Sequence, residues 1–116
     1  MRALDEADSI RTWDALYKSY RTYRKCDDGA IGEGYSESVI RILADHWGTL
    51  PRLDKLGKQN ADFRRFVIRH VDATLNADDV VLVERKAKTT CPNRLNKLCY
   101  DLAKQAQAAL EDATFP

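Results

Sequence analysis

The 116-residue chain has no apolar run that approaches the roughly 20 residues a membrane helix needs. It also lacks a CxxC pair, an internal repeat and a low-complexity segment. An integral membrane span, a thioredoxin-type motif and a zinc ribbon are therefore not expected. An excess of one charge is missing too: 19 Lys and Arg oppose 18 Asp and Glu, for a net charge of +1. With no bulk field to gather nucleic acid or an anionic membrane, any electrostatic partner has to be met by a local patch. Two histidines and three cysteines at scattered positions offer no ligand set, so no metal and no cofactor are expected. The first residues, MRALDEADS, lack the apolar core of a signal peptide, and the chain as written reads as cytoplasmic. It reads as periplasmic if a leader once preceded it.

What is present is a soluble composition, 44% apolar and 32% charged, with helical periodicity almost throughout. Ser9 is a cap for a first helix to Lys25 with Ile10, Trp13, Leu16, Tyr17 and Tyr20 on one face. A second helix, opened by Asp27-Asp28-Gly29, carries Ile31, Tyr35, Val39, Ile42, Leu43, His46 and Trp47. Thr49-Leu50-Pro51 opens a short helix that ends at Gly57. Asn60 caps a fourth helix bearing Phe63, Phe66, Val67, His70, Val71 and Leu75. Asn76-Ala-Asp-Asp starts a fifth; its Val80-Val81-Leu82-Val83 has strand composition, but no partner strand is visible and strong helix formers follow. Cys91-Pro92 ends it, and Asn93 caps the last helix, with Leu95, Leu98, Cys99, Leu102 and Ala106 inward. The expected fold is a single-domain all-α bundle of five main helices and one short one, mostly antiparallel, with an ordered core over residues 9–111.

The candidate functional stretch is Cys26 to Trp47. Asp27, Asp28, Glu33 and Glu37, with Tyr35 and Ser36 between them, form an acidic group at a helix start. Its bland account is helix-terminus chemistry on a solvated face. Its sharper one is a contact surface offered to a basic groove of a protein partner. His46 and His70 both fall beside apolar stripes and read as satisfied interfacial residues rather than bases or ligands. The basic run around Arg64, Arg65 and Arg69 is flanked by Asp62 and Asp72, so no nucleic-acid site is expected. For the cysteines, a helix from Asn93 sets Cys91 and Cys99 on the order of 10 Å apart, beyond disulfide reach. That leaves either three thiols or a bridge from Cys26 to Cys91 or Cys99.

The wording KCDDGAIGEGYSESVIRILADHW, with FRRFVIRHVDATL and TTCPNRLNKLC after it, resembles a group of small helical proteobacterial proteins with no assigned activity. More loosely, a compact helical plan with one cysteine after the first helix and others near the C-terminus resembles periplasmic immunity proteins that neutralise cell-wall-degrading effectors of type VI secretion. That resemblance implies an oxidising compartment, a disulfide and a secreted toxin as partner. The expected function is a non-enzymatic protein-binding module, an immunity-type inhibitor. The other classes are a structural or regulatory adaptor, including a homodimer, and a small enzyme using Cys26 or a histidine with the acidic group.

Overall fold

Six α-helices lie within the described residues, 9–23 and 29–114, of the computed structural model. They are α1 (Trp13–Tyr23), α2 (Gly29–Asp45), α3 (Leu50–Gln59), α4 (Ala61–Arg69), α5 (Ala77–Thr89) and α6 (Asn96–Thr114), with a 3-10 turn at Trp47–Thr49 leading into α3. The described residues contain no strand, so the expected all-α class holds, and Val80 to Val83 lie in α5. Its helical start is secured by Asn76, whose side chain accepts from the Asp78 N–H at 2.8 Å. Asp78 and Asp79 in its first turn and Lys86 and Lys88 in its last suit the helix dipole.

The core is organised around α2. Tyr35, Ser36, Ser38, Val39, Ile40, Ile42 and Leu43 are fully buried. The outward strip is a single i, i+4 row: Glu33, Glu37, half-buried Arg41 and Asp45. α5 packs across α2 and along α6, α3 pairs with α4, and α4 also meets α6. Short connections impose these neighbours, and the radius of gyration of 13.2 Å is that of one compact unit of this length.

Several boundaries differ from the sequence expectation, each for a local reason. α1 starts at Trp13 because Thr12, not Ser9, is the cap: its hydroxyl oxygen accepts from the Ala15 N–H at 3.1 Å. Gly57 does not end α3; it is a buried contact glycine, and a Cβ there would stand 3.1 Å from Arg64 Cβ on α4. Asn60 caps α4 as expected, accepting from the Phe63 N–H at 3.1 Å. α4 ends at Arg69, and Val71 and Leu75 continue in turns.

The largest correction concerns the cysteines. Cys91 and Cys99 are joined in a disulfide with a Cα–Cα distance of 6.1 Å, in place of the expected bridge from Cys26. α6 starts at Asn96 rather than after Asn93, since Arg94 takes a left-handed conformation (φ 68°) and the Leu95 N–H closes a turn on the Pro92 carbonyl. The folded-back segment shortens the span that a straight helix would have kept too long. Cys26 lies outside the described residues.

Candidate functional site

Asp27 and Asp28 lie outside the described residues, and the remaining members of the acidic group separate by helical geometry. Glu33 and Glu37 face solvent, whereas Tyr35 and Ser36 are fully buried. The expectation that Tyr35 and Ser36 contact a partner is therefore corrected: Tyr35 lies two positions from both Glu33 and Glu37, on the opposite side of the helix, and Ser36 is covered by His70 and Asp72. The Tyr35 hydroxyl instead shares a hydrogen bond with Ser19 of α1 at 2.8 Å, and its ring stands edge-on to Phe66.

On the exposed row, Arg41 gathers three carboxylates. Its Nη2 meets Asp79 of α5 at 2.6 Å, an ion pair whose angle lies outside hydrogen-bond geometry, and Glu37 and Asp45 stand at 3.5 Å on either side. The Asp79 contact foremost raises the Arg41 pKa against the opposing cost of burial, with Asp45 and Glu37 adding to it. One guanidinium cannot neutralise three carboxylates; exposed Glu33 stands one turn before Glu37 and exposed Asp78 directly before Asp79, while Lys86 of α5 reaches the end of α2 by donating to the Ala44 carbonyl at 3.4 Å. The structure thus shows an acidic surface built on α2 and the first turn of α5, with its geometry fixed by Arg41. Sequence reading found Glu33 and Glu37 but missed Asp45, Asp78 and Asp79. The i, i+4 spacing of 33, 37, 41 and 45 was the available signal for Asp45; the contact across to α5 had none.

Ser36 belongs to a second constellation. Its Oγ is 2.8 Å from His70 Nδ1 and 2.5 Å from Asp72 Oδ2, with the Gly32 carbonyl at 3.2 Å. A hydroxyl has one proton, and the close carboxylate takes it; His70 then donates its Nδ1–H to Oγ, which fixes the tautomer. Serine, histidine and aspartate are the residue types of a hydrolase triad, but the order is wrong. In a triad the histidine stands between the other two and its far nitrogen faces an accessible hydroxyl. Here the serine stands in the middle and is fully buried. Asp72 also accepts from the Thr74 N–H and hydroxyl, at 3.0 and 2.5 Å, so the cluster clips the turn after α4 onto α2. His70 is the satisfied interfacial residue that its spacing implies. His46 is not: α2 ends at Asp45, and His46 is exposed beside a pocket shared with Trp13, Asp14 and Arg52.

Among the described residues no group of three or more His, Cys, Asp and Glu side chains is placed to hold a metal ion, and no helix is long and apolar enough to cross a membrane. Comparison of the chain with family models, curated proteins and solved structures gives no match.

Proposed function

We propose that the chain is a non-enzymatic protein-binding module of the inhibitor type, which lays the acidic face of α2 and α5 into a basic groove of a partner protein. One observation carries this reading: Glu37, Asp45 and Asp79 converge on Arg41, so carboxylates flanked by Glu33 and Asp78 are held in place before any partner arrives. Such preorganisation lowers the ordering cost of binding, and the charge steers encounter and selects the partner. A secreted hydrolase whose substrate groove is cationic fits that chemistry, and occlusion of the groove would be the inhibitory step. The Cys91–Cys99 bridge supports placement in an oxidising compartment such as the periplasm.

The experiment is capture of the tagged, oxidised protein with whatever stays bound through a salt wash, followed by affinity measurement on the recovered pair. The triple charge reversal E33K/E37K/D78K should weaken binding by about tenfold or more and flatten its salt dependence. Unchanged affinity removes the acidic face as the contact surface. Repeated recovery of the protein alone removes the binding-module reading.

A further inference from the structure

Beyond the acidic face, the end of α5 and the first turns of α6 enclose a groove of about 540 Å³, lined in part by Ala87, Lys88, Cys91, Cys99, Tyr100 and Lys104. Tyr100 is 61% exposed and is, with Val81, one of two exposed large apolar side chains among the described residues. An aromatic ring left at the edge of a groove with an alanine and a disulfide in its lining offers the apolar body and polar tip typical of binding contacts. The bridge joins the two walls of the groove, so the site is preformed rather than assembled on contact.

The rim is cationic. Lys88 pairs with Glu84 at 3.2 Å and Lys97 with Asp101 at 3.1 Å, but both carboxylates are 20% exposed against 57% and 79% for the lysines. An approaching group meets ammonium first. These i, i+4 pairs are weak and their lysines can turn to a new partner. Lys97 Nζ also stands 5.6 Å from the Tyr100 ring centroid. Exposed Lys104, on the other side of Tyr100, has no ion pair among the described residues.

We propose that this groove docks an acidic segment of a protein partner, with its carboxylates on Lys88 and Lys104 and an apolar side chain against Tyr100 and the disulfide. The site is opposite in charge to the α2 face and lies at the other end of α5, about 15 Å along the helix axis from Asp78. It stands or falls independently of the acidic surface.

The test is titration of the oxidised, ¹⁵N-labelled chain with the blocked peptide Asp-Glu-Phe-Asp-Glu and with its Asn/Gln counterpart. Saturable amide shifts at Cys91, Tyr100 and Lys104 are expected, with a Kd below about 1 mM for the acidic peptide. Y100A and the pair K88E/K104E should each weaken binding by about tenfold or more. All three side chains are exposed, so retained thermal melting shows that these variants fold, and E33K/E37K/D78K should bind the peptide as the parent does. Equal binding of the neutral peptide, shifts confined to α2, or no saturation overturns the proposal. So does concentration-dependent dimerisation that Y100A abolishes, which gives the groove to a second copy of the chain.

Discussion

Tyr17, Tyr20, Tyr35, Phe63, Phe66 and His70 join α1, α2 and α4 through ring contacts with centroids 4.7 to 6.1 Å apart. On the other side of the molecule α5 and α6 bury Val80, Val83, Ala87, Leu98, Leu102 and Ala106 and are linked by the Cys91–Cys99 bridge. The polar contacts differ in the same way. Ser19–Tyr35 and Ser36–His70 join residues 16 and 34 positions apart, whereas the bridge spans 8. One side is stabilised by long-range packing around the hydrogen-bonded pairs Ser19–Tyr35 and Ser36–His70; the other is a local hairpin held covalently. The aromatic side should therefore be the cooperative part of the fold, and the hairpin the part that survives local damage.

The largest effect that would break this contrast is at Phe66, whose ring touches Tyr20, Tyr35, Phe63 and His70. Phe66→Ala should cost about 3–5 kcal/mol in denaturant unfolding. Hydrogen exchange should then accelerate through α1, α2 and α4 more than through α5 and α6; uniform acceleration would dissolve the distinction. The double substitution C91S/C99S comes next. In the loop-entropy model a bridge this short contributes about 2–3 kcal/mol. Adding reductant to the parent should lower its melting temperature to that of the variant and leave the variant unmoved.

Ser36→Ala sharpens the picture of the aromatic side. It removes the buried hydroxyl that joins His70 Nδ1 to an Asp72 oxygen, and losing a buried hydrogen-bond partner costs about 1–3 kcal/mol. A double-mutant cycle of S36A with D72N should give a coupling of at least about 0.5 kcal/mol. Strict additivity would mean that the serine merely fills space.

Both sides were legible in sequence where caps decide them, at α4 on the aromatic side and at α5 on the hairpin side. Asn60 and Asn76 are short polar side chains directly before helical stretches, and both accept the N–H bonds that their positions promise. Periodicity likewise set α2 inward through Tyr35, Val39, Ile42 and Leu43. What periodicity could not show was how wide the buried arc is. Ser36 looks like a surface residue until His70 and the turn at Asp72 are placed against it, because burial of a hydroxyl depends on a distant partner; Ser38 is buried as fully. The cysteine pairing failed for the opposite reason. Its cause is local, a turn at residues 92–95 with Arg94 left-handed, but nothing in the residue type at 94 asks for that conformation. The acidic surface was half legible: the row on α2 follows from spacing, while Asp78 and Asp79 join it only through the packing of α5 on α2.

The smallest effect is expected where the two sides meet, at Asp101 of α6. Burial pushes its carboxyl pKa up, but hydrogen bonds from Arg64 of α4 at 2.8 Å and Lys97 at 3.1 Å outweigh this and hold it below the usual carboxylate range. A group lowered in the folded state stabilises the protein above its unfolded pKa of about 4, and that contribution is lost as pH falls through the lower folded value. Asp101→Asn should therefore melt below the parent at neutral pH, and the gap should close as the solution is taken from about pH 5 to about pH 2. A gap independent of pH would assign the loss to packing instead. Asp14 is the control: its hydrogen bond from Arg52 also lowers its pKa, but the pair is exposed. Salt at about 0.5 M should erase the Asp14→Asn effect and leave most of that at Asp101, because the Arg64–Asp101 pair is only about a quarter exposed on either side.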